Sequence, residues 1–412
     1  MRWPATCVAG VALAAGCAGS NVYAQVRLDR GYLGLETYYY PQDGSPVQKH
    51  GNAAVIGQLE LRGRWGEGLS AKLTPFARVD AIDSHRSLFD AHEAEVEYST
   101  GRWRAQLGMR MLSWSVTESV GVLPAQVVDI INQRDLAGDP AGQEKLGTAM
   151  ATISYQGDSF RLEGFALPWF RKRKFPDETA RENPFQGLVN LTDATVQYTS
   201  ESGAHRMGAA VRAEYSSDHA NVALIQYQGY APQPLIVPDF VTGRAAELYY
   251  LIDMTGLTVQ ATLGQWLLKT ESAYFGTREN SSRFAAVPAS YWSSVSGFEY
   301  TFVNAFGGTD LGLFAEGLFD SRGRATNGTP FHEDVFAGVR WVANDQSDTQ
   351  ILGGLMSGLD QHALVAQLQF QRRIGTHYQV DLRLRTYNAA KDSPLSAFNE
   401  DSVVFLKVRR FF

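Results

Sequence analysis

Residues 401–412 read Asp-Ser-Val-Val-Phe-Leu-Lys-Val-Arg-Arg-Phe-Phe. Successive side chains of a strand point to opposite faces. Val404, Leu406, Val408 and Phe412 therefore share one face, and Val403, Phe405, Lys407, Arg409 and Phe411 share the other. The first face is apolar except for Arg410, while the second mixes apolar groups with cations. A strand of this kind fits either the edge of a soluble β-protein or a wall between hydrocarbon and water, so the upstream sequence has to decide.

Reading from Gln25, segments of about ten alternating residues recur, the length a tilted strand needs to cross a bilayer. In Ala53–Trp65, Val55, Leu59, Leu61 and Trp65 oppose Gln58, Glu60, Arg62 and Arg64. In Leu69–Ala81, Leu69, Ala71, Leu73, Ala77 and Val79 oppose Lys72, Thr74, Arg78 and Asp80. Only Gly66-Glu67-Gly68 separates the two, which is a hairpin turn. Across the next turn, Glu93, Glu95 and Glu97 form an acidic row beside Arg102, Arg104, Gln106 and Arg110. The pattern continues through Thr148–Gln156, Ser159–Leu167, His205–Tyr215, Ala220–Gly229, Met254–Leu263, Trp266–Gly276, Ala289–Phe302, Asp310–Asp320, Glu333–Ala343, Asp348–Ser357, His362–Arg372 and Thr376–Tyr387. With Arg30–Tyr40 and the terminal strand, the sequence predicts an all-β chain: a single antiparallel transmembrane β-barrel of about eighteen strands. Short and long connections alternate, as periplasmic turns and extracellular loops do. Leu191–Ser200 also looks like a strand, but counting it as spanning breaks that alternation, so it is assigned to a long external loop, 168–204. Trp65, Trp103, Trp266 and Trp341 each lie beside a short turn on the outward face, where an aromatic belt belongs.

Composition agrees. Beyond residue 25 no run of eighteen apolar residues marks a membrane helix. The formal charge of −6 excludes the basic balance of a nucleic-acid binder. Residues 1–24 have the layout of a signal peptide, with Arg2, a small apolar run and Val22-Tyr23-Ala24 before Gln25, leaving 25–412 as the barrel. Leu13-Ala14-Ala15-Gly16-Cys17 offers lipidation at Cys17 as the alternative. Either way Cys7 is removed and no intramolecular disulfide is possible.

The final strand with Phe412 resembles the C-terminal signal by which Gram-negative outer-membrane barrels are recognised by the assembly machinery, Arg410 being a departure from it. Trp114, Glu118 and Val128-Asp129-Ile130-Ile131-Asn132-Gln133-Arg134-Asp135-Leu136 further resemble a porin-like, largely uncharacterised proteobacterial outer-membrane family, broadly similar to alginate-export-type barrels. So do Leu167-Pro168-Trp169-Phe170-Arg171, Gly297-Phe298-Glu299-Tyr300-Thr301-Phe302 and Asn344-Asp345-Gln346-Ser347-Asp348-Thr349-Gln350. The resemblance implies a barrel in the outer membrane of a Gram-negative bacterium, in contact with its lipid and lipopolysaccharide, and no established substrate.

Residues 113–147 are either a loop folded into the lumen, with Asp129, Asn132, Arg134 and Asp135 at a constriction, or an external cap. The run Arg171, Lys172, Arg173 and Lys174 either gathers anions at the mouth or is a solvated loop. Arg62, Arg64, Arg78, Glu93, Glu95, Glu97, Arg102, Arg104, Arg110, Arg383, Arg385 and Arg409 are assigned to the pore lining. Such rows either set ion preference or pair across and block the lumen. No nucleophile, metal or phosphate-loop spacing appears, so no catalytic residue, metal or cofactor is expected. The reading is a channel for small hydrophilic, possibly anionic, solutes. A non-conducting scaffold or assembly and export component is the second reading, and a hydrolase assembled from distant strands is the third.

Overall fold

The computed structural model describes residues 25–118, 124–125, 130–131, 145–183, 185, 189–239, 241, 244–278, 287–323 and 331–412. The expected leader, 1–24, lies outside them. Twenty-three strands follow in chain order: β1 Gln25–Tyr39, β2 Gly51–Trp65, β3 Leu69–Asp80, β4 Leu88–Thr100, β5 Trp103–Arg110, β6 Ile130–Ile131, β7 Lys145–Leu146, β8 Thr148–Gln156, β9 Phe160–Leu167, β10 Asn190–Tyr198, β11 Gly208–Ser216 and β12 Ala220–Tyr230. They continue with β13 Leu235–Asp239, β14 Arg244–Tyr249, β15 Leu251–Leu263, β16 Trp266–Thr277, β17 Tyr291–Ala305, β18 Thr309–Asp320, β19 Glu333–Val342, β20 Gln350–Gly358, β21 Ala363–Ile374, β22 Tyr378–Ala389 and β23 Val403–Phe411.

Eighteen of these form one sheet in which every neighbouring pair is antiparallel, and β1 pairs with β23 from Tyr32↔Phe411 to Tyr39↔Val404. The sheet is thus a closed barrel with no free edge. In hydrocarbon nothing but the chain itself can satisfy a backbone N–H or C=O, and closure satisfies the last row of them. The expected strand number is met. β10 pairs in parallel with β14, which pairs with β13, in a separate small sheet. The stretch assigned to an external loop is therefore indeed outside the wall.

The chain enters at one end and leaves at the same end, which carries the tight connections 66–68, 101–102, 157–159, 217–219, 264–265, 306–308, 343–349 and 375–377. The other end carries all the long ones, and by the usual asymmetry of such barrels it is the extracellular end. Outward side chains are apolar: Val55, Leu59, Leu107, Ile153, Leu162, Val211 and Leu224 are all exposed. Aromatic pairs rim both ends of that band. Trp103 meets Tyr155 at 5.0 Å and Trp266 meets Tyr300 at 4.7 Å near the tight turns, and Tyr274 meets Trp292 at 5.4 Å near the loops.

The interior departs from the wholly polar lumen that the alternation implies. Met150, Phe165, Ile225, Tyr227, Ile252, Met254 and Phe275 are inward and buried, together with Trp114 from the connection after β5. These walls are apolar because a piece of chain packs against them instead of water.

In the closing strand the face assignment holds: Phe405 and Lys407 are fully buried inside, while Leu406 is exposed. Beyond it, Gly31 N donates to Phe412 O and Phe412 N to Gly31 O, each at 3.0 Å. A Cβ on Gly31 would lie 2.7 Å from the Phe412 ring and 2.9 Å from Leu59, so glycine is required for the ring to lie across the seam. Arg410 points outward beside the periplasmic rim, where a long cation reaches headgroups. We expect deletion of Phe412 to lower the folded fraction on a heat-modifiability gel far more than Arg410→Tyr. Equal defects would refute this account of the seam.

Candidate functional site: a loop latched across the lumen

The connection after β5 turns into the barrel. Trp114 packs edge-on against Phe165 at 5.2 Å, which fixes the base of the loop on the apolar wall. The next residues reach strands on other parts of the wall. Ser115 Oγ donates to Glu271 Oε1 at 2.8 Å, Thr117 Oγ1 donates to the same carboxylate, and the Ala125 N–H donates to Glu271 Oε2 at 3.3 Å. The Glu118 N–H donates to both oxygens of Glu316, at 2.9 and 3.1 Å. Its carboxylate accepts from Arg340 Nη2 at 2.8 Å and lies 3.5 Å from Lys269 Nζ. Lys269 also lies 3.8 Å from Glu316 and 3.9 Å from Glu299. Of the two readings for 113–147, the described part follows the inward one. Asp129, Asn132, Arg134 and Asp135 lie outside the described residues.

Towards the periplasmic side the lumen is lined by paired charges. Glu60, almost fully buried, holds Arg30 at 2.7 Å and Arg62. Arg110 meets Glu95 at 3.0 Å and Arg104 meets Glu97 at 3.3 Å. Lys72 pairs with Glu93. Arg62 and Arg104 keep about half of their side-chain surface in water, at 45% and 53%. Arg102 is corrected: it sits in the turn after β4 and pairs with Asp158 at 2.8 Å, outside the lumen, because the strand ends at Thr100.

In the extracellular half several inward charges are buried in ion pairs. Arg78, 1% exposed, pairs with Glu36 at 2.6 Å, and Arg86 bridges Glu36 and Asp80 at 3.2 and 2.6 Å. Near the periplasmic end of β23, Arg409 pairs with Asp381 at 3.0 Å, and further along the wall Arg383 lies over the Phe405 ring at 5.2 Å. These arginines face inward as assigned, but they line packed interior and not a wet pore. Above them, residues of the connection after β9 span the mouth. Arg181 Nε donates to Asp401 Oδ1 at 2.8 Å and lies over Tyr40, the Glu182 N–H donates to Asp401 Oδ2 at 2.8 Å, and Glu182 Oε1 accepts from Tyr387 Oη at 2.7 Å. Arg385 approaches the same Glu182 oxygen at 3.5 Å. Glu182 has φ 54°, a conformation costly for a side-chain-bearing residue and held here by its partners.

In the basic run, Arg171 and Lys172 are paired. Arg171 is bound to Asp90 at 2.9 Å and to the Gly147 carbonyl at 2.6 Å, and Lys172 to Glu247 at 3.1 Å. Arg173 is buried, and burial lowers it to about 10. Arg171 and Lys172 tie the loop to β4 and β14, and the Lys172 side chain keeps 48% of its surface exposed. Sequence reading missed Glu36, Arg86, Asp80, Lys269 and Glu316 as partners, because ion pairs between distant strands follow from barrel register and leave no local spacing. A recess of about 540 Å³, lined by Ala337, Gly353, Ala366 and Leu368 among others, lies on the lipid-facing wall and forms no part of this site.

Fold and interior together define an outer-membrane β-barrel whose lumen is crossed by its own loops. No protein-family model and no curated protein matches the chain. Solved structures do. The outer membrane protein OpdK from Pseudomonas aeruginosa aligns with TM-score 0.53 and 11% identity over 94% of this chain and 99% of that one. OccK5 (OpdH) of the same organism gives 0.52 and 10% over 93% and 97%. Wzi, a carbohydrate-binding barrel involved in group 1 capsule assembly in Escherichia coli, gives 0.51 and 12% over 92% and 83%. At these identities the likeness is one of fold: an 18-strand barrel matching Gram-negative outer-membrane proteins.

Burial and the neighbouring Glu182 charge push the Asp401 carboxyl up to about 6. The folded value lies above the ordinary Asp value of about 3.9. This group's contribution to the closed mouth is therefore fully present below about pH 4 and is lost as pH rises through about 6. Proteolysis within 168–207, corrected for protease activity, should be faster at pH 7 than at pH 5. Asp401→Asn should flatten that difference.

Proposed function

We propose that the barrel is a loop-gated channel for small hydrophilic solutes, with the latch from Ser115 to Glu118 as its gate. The observation that supports this most is the kind of contact closing the lumen. The stretch Ser115–Glu118 is held by hydrogen bonds and ion pairs to Glu271, Glu316, Lys269 and Arg340. The Glu118 and Arg340 side chains keep about a third of their surface exposed, at 35% and 32%, so water and solute ions compete for that pair while Trp114 stays packed on the wall. The water-exposed Arg62 and Arg104 in the periplasmic half favour anions there. We read the role as transport and not catalysis. Lipid and lipopolysaccharide would surround the wall, and the assembly machinery would engage β23.

Burial of Glu36, Arg78, Asp80 and Arg86 in the extracellular half favours a second reading, a non-conducting scaffold. Planar-bilayer recording separates them. We expect low, intermittent conductance from the full chain, a large steady conductance on deletion of 113–147, and about a tenfold higher open fraction for Glu118→Gln, equivalent to ~1.4 kcal/mol. Silence from all three proteins, each folded by gel mobility, would leave only the scaffold.

A further inference from the structure

We propose that Asp83, His85 and Asp177 form a binding site for a divalent first-row transition metal of the zinc type, joining two extracellular connections. The first two residues lie in the connection between β3 and β4, and the third in the long one after β9. One ligand atom from each lies within 4.8 Å of the other two. His85 Nδ1 is 2.7 Å from Asp177 Oδ2 and 3.6 Å from Asp83 Oδ1. Ligand atoms about 2.1 Å from a tetrahedral zinc ion are about 3.4 Å apart, so shifts of an ångström or less would seat one.

The carboxylates are held ready by their own loops. Asp83 Oδ1 accepts the His85 N–H at 3.0 Å, capping the short 3₁₀ turn Ser84–Arg86, and the Asp83 N–H is tied to Asp80 at 2.8 Å. Asp177 Oδ1 accepts the Thr179 N–H and hydroxyl at 2.8 and 2.6 Å, which leaves Oδ2 turned to the imidazole. Both Asp side chains are only 2% exposed, whereas that of His85 is 53% exposed. Two buried carboxylates on one imidazole favour a dication, since it stabilises both charges together. An imidazole donor selects zinc-like ions over calcium or magnesium, which prefer all-oxygen shells. The open side facing solvent gives the ion an entry path and room for a water ligand.

The sequence predicts no metal because 92 residues separate His85 from Asp177, and only the barrel brings their loops together. A bound ion would fasten the strap that carries Arg181 and Glu182 to the rim at β3. The proposal does not depend on conduction.

The test uses tag-free, chelator-treated full chain in detergent. Calorimetric titration with Zn²⁺ should give about one ion per chain with micromolar or tighter affinity, and Ca²⁺ should bind far more weakly. Titration with Co²⁺ should give visible absorption bands of an imidazole-ligated ion. His85→Ala, chosen because the side chain is exposed and should fold normally by gel mobility, should weaken Zn²⁺ by about 100-fold and abolish the bands. Absence of Zn²⁺ binding by the folded wild-type chain, or wild-type affinity in His85→Ala, would overturn the proposal.

Discussion

Satisfaction of backbone hydrogen bonds in a medium without water is the constraint on which this structure depends. A strand in hydrocarbon with an unpaired edge forfeits several kcal/mol for each open group. The pairing of β1 with β23, finished by the two bonds between Gly31 and Phe412, is therefore what allows the other strands to cross at all. It also fixes the inward and outward faces. Once Lys407 faces in and Leu406 faces out, pairwise register carries that choice from strand to strand around the wall.

Closing eighteen strands creates a second problem, because a ring of that size is wider than wall side chains can fill. This chain fills it with its own connections, by two kinds of contact. Trp114 lies among Met150, Ile225, Met254 and Phe275, a dry contact whose strength comes from buried area. Glu118, Arg181 and Glu182 make charged contacts to Arg340, Asp401 and Arg385.

The wall was legible in the sequence because its rule is local. Alternation of apolar and polar residues, tight Gly-containing turns and outward Trp residues are each visible within about ten residues, and they gave strand number, register and the external placement of Leu191–Ser200. The contents of the lumen were less legible. Arg62, Arg104 and Arg110 were found from their faces, yet Arg78, Arg383 and Arg409 face the same way and are packed. What separates Arg78 and Arg409 is partners from distant parts of the chain, Glu36 at 42 residues and Asp381 at 28 residues. Arg171 and Lys172 show the same dependence on distant partners, since Asp90 and Glu247 come from other parts of the chain.

The charge distribution inside follows from the same division of labour. Around the latch, three carboxylates, Glu118, Glu299 and Glu316, share two cations, Lys269 and Arg340, and Glu271 accepts from the loop beside them. β22 and β23 themselves carry four inward cations, Arg383, Arg385, Lys407 and Arg409, and one carboxylate, Asp381, with Glu36 of β1 opposite Lys407. The acidic excess lies where the chain needs acceptors for loop hydroxyls and N–H groups, since Ser115, Thr117, Glu118 and Ala125 all donate to it. The basic excess lies beside Phe405, and Arg383 and Lys407 reach across that ring. Each excess is placed by what the inserted chain or the neighbouring ring can offer it.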